Sequence, residues 1–306
     1  MIEDLRHQNN PVKLPSSSGL AKYGGSEMAI NDPGQGASAG TWGSNEAAEE
    51  WRRVAAERAR FFGPVTERML DLADIRVGSR VLDIGAGAGD QALAAARRVG
   101  PTGLVLATDI SANMLETAAI SARQEGLSNV DTRVMDAQTL DLPSASFDTA
   151  ISRFALMLVP DIDEALRQIR RVLRPSGKFA AIVFEKCPYL SIPHAIARRV
   201  GQLTSPPEPF GEFRLAGHGV MADAYKNAGF HDVAIHPFSA RRQFPSLADA
   251  VRYAKETPLP LRELMGRLTP TQHEQAWADV EQVLQQFVGP DGYDSPCDFL
   301  IGVGTK

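Results

Sequence analysis

Five short apolar runs recur along the middle of this chain, at Ser79 to Ile84, Gly103 to Thr108, Val130 to Met135, Phe147 to Ser152 and Lys178 to Phe184. Helical segments, or loops leading to the next run, separate them. Runs this short and apolar must be covered on both faces, and repeated β-α units of this length build a parallel sheet with helices on either side. Helix starts are marked as well. Ser111 caps a helix through Met114, Leu115 and Ala118, and Asp161 with Glu164 reads as a capping box ahead of Ala165 to Leu173. RPSG, Arg174 to Gly177, then turns the chain into the fifth run. A helix over Val220 to Ala228 and strands over Val233 to Phe238 and Cys297 to Val303 rejoin the sheet, for seven strands in all.

Residues 1–40 contain SSSG, KYGGS and NDPGQGASAG, too few large apolar residues to pack, and are expected to form a flexible leader to a single domain over 41–306. From Asn45, Ala47, Ala48, Trp51, Val54 and Ala55 share one helical face while Glu49, Arg52 and Arg53 share the other. Gly63-Pro64 reads as a break that starts a second helix with Val65, Met69, Leu72 and Ala73 inward. The segment around Trp42 and Trp51 is expected to close over a bound ligand. Two insertions follow the fifth run. Residues 185–215 carry Ser205-Pro206-Pro207-Glu208-Pro209 and read as a lid loop; residues 239–295 carry helical patterns at Leu247 to Tyr253 and Glu274 to Phe287 and read as a helical cap.

Composition narrows the function. With 306 residues, 43% of them apolar, the chain can bury one sizeable core and an appended subdomain. A net charge of −5 supplies no basic face for nucleic acid, so a small-molecule partner is expected. Cys187 and Cys297 have no metal-ligand spacing; they read as packed thiols, and no metal is expected. No run reaches the roughly 18 apolar residues of a membrane span, and the first residues lack the basic and apolar regions of a signal peptide. A cytoplasmic location is the expectation.

Within the repeat, VLDIGAGAGDQ from Val81 to Gln91 is a strand, then Gly85, Gly87 and Gly89, then a helix. Such a turn brings backbone N–H groups close to a ligand without interference from Cβ atoms. A dinucleotide would call for Gly-x-Gly-x-x-Gly, and these glycines are one residue tighter. Asp83 at the strand end would repel a pyrophosphate and suits a cation instead. S-adenosylmethionine carries an ammonium and a sulfonium. A dinucleotide-dependent oxidoreductase, or a non-catalytic cofactor- or partner-binding module, are the alternatives.

VLDIGAGAGD is followed in order by ATDIS, VMDAQTLDLP, FDTAISRFAL and RRVLRPSGKF. In these motifs the chain resembles class I S-adenosylmethionine-dependent methyltransferases, most nearly the branch of the ubiquinone and menaquinone C-methyltransferases. The resemblance implies a Rossmann-like, mostly parallel seven-stranded sheet and S-adenosylmethionine as cofactor. It implies that Gly85, Ala86 and Gly87 pass along the methionine part with Asp83 near its ammonium, and that Asp109 accepts from the ribose hydroxyls. Ile110 and Met114 would flank adenine, Asp136 and Ala137 would meet its edge, and Ser152 would lie near the sulfonium. The chain departs from the family in having Ala86 where many relatives have Cys or Thr. It also has Leu156-Met157-Leu158 where His-His or Asn is common, which removes a base from that loop.

Methyl transfer needs alignment and exclusion of water more than covalent machinery. Arg153, Glu185, His194 and His218 are the candidate catalytic residues: Arg153 to anchor an acid, the other three as general bases. Phe210, Phe213, Leu215, Tyr253 and Trp277 lie outside the core sheet, which favours a small, partly apolar organic acceptor over protein or RNA.

Overall fold

A computed structural model describes residue 49 and residues 53–191, 213–256 and 268–306. The leader, Trp42, Trp51, His194, Phe210 and the central parts of both insertions lie outside the described residues.

The first described helix corrects the sequence reading. α1 (Ala55–Leu72) runs through Gly63-Pro64 without a break. An interior proline costs a helix about 3 kcal/mol, but residues on both sides of it pack inward. Phe61 and Phe62 pack on the core, and Val65, Met69 and Leu70 are completely buried. Burying a side chain of that size contributes about 1.5–3 kcal/mol, so packing of the two half-helices outweighs the local break.

The β-α units follow as expected: β1 (Arg80–Ile84), α2 (Asp90–Val99), β2 (Leu104–Asp109), α3 (Ala112–Gln124), β3 (Val130–Val134), β4 (Phe147–Arg153), α4 (Ile162–Val172) and β5 (Leu173–Lys186). Then come α5 (Val220–Asn227), β6 (His231–Phe244), α6 (Leu247–Glu256), α7 (Pro270–Gln285), β7 (Val288–Gly289) and β8 (Gly292–Thr305). The sheet order is β3-β2-β1-β4-β5-β8-β6, with β7 a two-residue strand on β8. β1 to β5 are mutually parallel, and β8 pairs antiparallel with both β5 and β6, so β6 again runs in the direction of β1 to β5. Helices α1, α2 and α3 cover one face; α4 and α5 cover the other.

Ser111 caps α3 as its sequence indicates, its hydroxyl accepting from the Met114 N–H. The box at α4 is only half formed. Asp161 accepts from the Glu164 N–H, but the Asp161 N–H donates to Gln138 instead, and the Glu164 carboxylate takes Arg167 and Gln168. RPSG is a bulge inside β5, between the pairs Phe147↔Leu173 and Thr149↔Lys178, with Ser176 at φ 63°.

β6 and β8 are both 14 residues long, well beyond the runs expected. β8 leaves β5 at the Lys186↔Asp298 pair, so Tyr293 to Cys297 and Ala240 to Phe244 continue as an arm past the carboxyl edge of the parallel strands. One face of that arm carries the cross-strand pairs Ala240↔Cys297, Arg242↔Ser295 and Phe244↔Tyr293. Cys187 follows the last β5 pair and meets Cys297 across it; both thiols are free and buried. No helix among the described residues is long and apolar enough to cross a membrane.

Candidate functional site

The sheet order reverses between β1 and β4, where open α/β sheets leave a crevice at their strand ends. Register puts Asp83 beside Ala107 and Ile151, so Asp83, Asp109 and Arg153 project from one face, the one covered by α1 and α2. Ser152 and Glu185 project from the other.

Asp83 is fully buried. Its Oδ1 accepts from the Gln91 amide at 3.1 Å, and its Oδ2 has no hydrogen-bond partner among the described residues. Burial pushes its pKa up to about 7, against the lowering by Gln91 and Arg153. A carboxyl in this position holds either a proton or a cationic donor. Seven residues on, Asp90 has the opposite environment: Arg58 forms a two-pronged pair with it at 2.7 and 2.9 Å, and Arg153 donates at 2.9 Å. Burial acts to raise its pKa, but the Arg58 bond and the two guanidinium charges prevail and lower it. Arg153 also donates to the Thr66 hydroxyl on α1 at 2.9 Å, and burial lowers its own pKa.

The turn between these acids is closed against the fold. Gly85 has φ 65°, and a Cβ there would run into the Ala155 side chain. The Ala86 N–H donates to the Thr108 carbonyl and is committed, whereas the Gly87 N–H donates to Asp109 Oδ2 at 2.9 Å. Asp109 Oδ1 accepts from the Ser111 N–H at 2.9 Å. Burial raises the Asp109 pKa, partly offset by its bonds to the Ser111, Gly87 and Ile110 N–H groups. Each carboxylate oxygen retains a lone pair for a hydroxyl donor. Beside it Ile110 is 44% exposed, a large apolar surface at the rim, while Met114 is buried in α3 packing. Asp136 is exposed and closes its own turn by accepting from the Gln138 N–H and amide; Ala137 is half-buried beside it.

The described candidate catalytic residues do not converge: Arg153 is sealed in the Asp90 cluster, and Glu185 and His218 are exposed. Ser152, expected near the sulfonium, is buried on the far face with no hydroxyl partner among the described residues. A wall of rings occupies the end of β4 instead. Phe154 has φ 61°, a strained value for a bulky residue. That kink brings its ring back over the α1 face, stacked on Phe184 at 4.2 Å and beside Phe62 at 4.8 Å, with Phe61 next to Phe62 at 4.9 Å. Beyond Phe61 a cavity of about 1060 Å³ opens between α1 and the arm, lined by Glu57, Phe61, Arg242, Phe244 and Tyr293 among others.

Sequence reasoning missed Arg58, Asp90, Gln91 and Arg242. The signal was present for the arginines. Arg58 interrupts the α1 stripe Val54, Phe62, Val65, Met69, and Arg242 interrupts the strand alternation Phe238, Ala240, Phe244. A charge on an apolar stripe calls for a buried partner.

Residues 75–196 match the family model of a methyltransferase domain. The chain is 33% identical over 191 residues to nocamycin O-methyltransferase of Saccharothrix syringae, covering 58% of this chain and 68% of that protein. It is 40% identical over 118 residues to the ubiquinone/menaquinone biosynthesis C-methyltransferase UbiE of Pseudomonas aeruginosa, covering 38% of this chain and 46% of that one, so it spans just under half of that relative. In fold it is similar to a protein of Bacillus halodurans solved as a crystal structure, with TM-score 0.56, 16% identity and coverage of 79% and 98%. The chain belongs to the class I S-adenosylmethionine-dependent methyltransferase family, near the UbiE-like branch. The residues present fit that cofactor, since the buried, unpartnered oxygen of Asp83 suits an ammonium and the remaining lone pairs of Asp109 suit a diol.

Proposed function

We propose that this protein transfers the methyl group of S-adenosylmethionine to a small, partly apolar organic acceptor lying against the ring wall at the end of β4. The observation that carries this reading is the placement of Asp83 and Asp109 on one sheet face, next to the wall built by Phe62, Phe154 and Phe184. When bound, S-adenosylmethionine supplies a methyl group already activated by its sulfonium. Asp83 would hold the ammonium and Asp109 the ribose hydroxyls, with Gly85 and Gly87 shaping the turn and Ile110 covering one side of adenine. Asp136 and Ala137 would stand at the adenine edge. Arg153 acts as a positioning residue: it fixes Asp90 and with it the first turn of α2. No proton transfer is assigned to the exposed Glu185 and His218.

The protein's task is then alignment and exclusion of water, and the arm with α6 and α7 serves as the cap that provides both. The two relatives named above are an O-methyltransferase and a C-methyltransferase, which supports an organic acceptor and leaves the accepting atom open to either chemistry. The test is an acceptor screen with mass-spectrometric detection of a one-methylene gain, run beside thermal shifts with S-adenosylhomocysteine and NAD. The expected results are a methylated product and stabilisation by S-adenosylhomocysteine alone. Stabilisation by NAD and not by S-adenosylhomocysteine would sink the reading.

A further inference from the structure

The first turn of α2 holds two polar side chains that go opposite ways. Asp90 takes Arg58 from α1 and Arg153 from β4, while Gln91, 1% exposed, reaches back to the end of β1 and donates its amide to Asp83 Oδ1 at 3.1 Å. A neutral donor in that place has an effect that neither an apolar nor a cationic residue would have. It stabilises the Asp83 carboxylate by a hydrogen bond without cancelling its charge, and Oδ2 is left as an open acceptor among the described residues. A lysine or arginine there would compete with a bound cation. An apolar residue would leave both oxygens buried without a donor, and the carboxyl would hold its proton.

The surrounding charges favour the same arrangement. Asp83 faces Arg153 from β4, Asp109 from β2 and Asp90 from α2, with Arg58 of α1 bound to Asp90. Arg153 is bound to Asp90 as well. Two guanidiniums against three carboxyl groups leave one negative charge over when all ionise, and a proton or a ligand cation balances it. Burial raises the Asp83 pKa to about 7, and the Gln91 bond is the largest influence holding it down, ahead of the Arg153 charge.

We propose that Gln91 is a positioning residue for the cofactor's ammonium: it keeps Asp83 ready to ionise with Oδ2 open, and the ammonium binds there in exchange for a proton that leaves to solvent. This role rests on the reading of the crevice as the S-adenosylmethionine site. Because the ammonium pairs with the carboxylate and not with the neutral acid, affinity is full above the Asp83 pKa and falls as pH drops through it.

Titration calorimetry of the full chain with S-adenosylhomocysteine, which carries the same ammonium, tests the role between pH 5.5 and 8.5. Wild-type affinity should fall about tenfold from pH 8 to pH 6. At pH 6.5, paired buffers of different ionisation enthalpy should show release of more than about half a proton per ligand bound. Asp83→Asn should bind weakly, with no pH dependence and no proton release. Gln91→Met retains the length of the side chain and removes the donor. It should move the midpoint of the profile about one pH unit upward, so that its deficit against wild type is about fivefold at pH 7 and less than about twofold at pH 8.5. Gln91→Asn, one methylene shorter, should shift the profile the same way and gives a second reading if the methionine variant fails to fold. A merely structural role for Gln91 would weaken binding by the same factor at every pH. That result, a flat wild-type profile, or a pH dependence retained in Asp83→Asn would each overturn the proposal. The underlying reading fails separately: no S-adenosylhomocysteine binding by the wild type at any pH would remove the cofactor site itself.

Discussion

Arg58 and Arg242 occupy the same kind of position in two regions of the molecule: each is an arginine on the apolar stripe of an element, and each is buried. They are neutralised in different ways. Arg58, at the cofactor end, forms a two-pronged pair with Asp90, which Arg153 also engages. Arg242, in the arm, lies against the rings of Phe61, Phe244 and Tyr253 and within 3.4 Å of a Glu57 side chain that is 35% exposed. The first is a closed cluster whose geometry fixes the start of α2. The second is a cation whose neighbours include three ring faces, which stabilise it by cation–π attraction.

The largest expected effect is on stability. Arg58→Met removes the main partner of Asp90 and should cost about 3–5 kcal/mol in urea unfolding, because a buried carboxylate loses its compensation. Arg242→Met should cost less, about 1–2 kcal/mol, since Glu57 can turn to solvent and a methionine still packs among the rings. Equal losses would break the comparison.

Next in size is a pH effect at Asp83. Its pKa stands at about 7 in the folded protein against an ordinary 3.8, because burial disfavours the charge. Between those values the native state holds more protons than the unfolded chain, so stability falls as pH rises through the window. Asp83→Asn retains an acceptor for Gln91 and never ionises. It should stabilise the protein at pH 8 by on the order of 2–4 kcal/mol and leave stability at pH 4 nearly unchanged, while weakening S-adenosylhomocysteine binding. A flat stability difference across pH would show that Asp83 does not titrate in this way. Asp109→Ala is smaller still: it should weaken S-adenosylhomocysteine binding by about 1.5–3 kcal/mol, the range for hydrogen bonds to a charged group. Calorimetry showing unchanged affinity in a folded variant would take Asp109 out of the site.

The two regions also differed in how legible they were. In the parallel half, apolar runs buried on both faces coincide with real strands, and Ser111 caps where its position implies, because local preference and burial agree there. Gly63-Pro64 misled since a break is a local signal and the packing of Phe62 and Val65 is not. The arm was read short at both ends. Pro296 sits inside β8 just before the expected start at Cys297, and a proline within a run argues against a central strand, whereas Pro237 of β6 lies within the expected run. Both are tolerated here, since β6 is an edge strand and β8 at Pro296 has already left β5. Asp83 and Asp109 could be picked out because they end strands within a motif. Arg242 could be noticed as a charge on an apolar stripe, but its surroundings could not, because Phe61 and Tyr253 are far away in sequence and brought together only by the fold.

The smallest effect tests whether the regions open separately. Cys187 and Cys297 lie at their seam, one just past β5 and the other on the arm. A hydrogen bond between the thiols, together with burial, raises the Cys297 pKa far above its usual value. The thiolate that an alkylating reagent needs is therefore scarce until the arm separates from β5. Labelling by iodoacetamide at pH 8 should be slow, and both thiols should label together in a single phase set by that opening. A ligand that requires the closed arm slows opening-limited labelling by a factor of 1 + [L]/Kd, about elevenfold at ten times its Kd. S-adenosylhomocysteine at the same multiple should alter it less than about twofold, because the Asp83 and Asp109 side of the crevice need not open when the arm does. An elevenfold slowing by S-adenosylhomocysteine would mean that crevice and arm open as one unit, and the contrast between the two arginines would then be one of chemistry without independent motion.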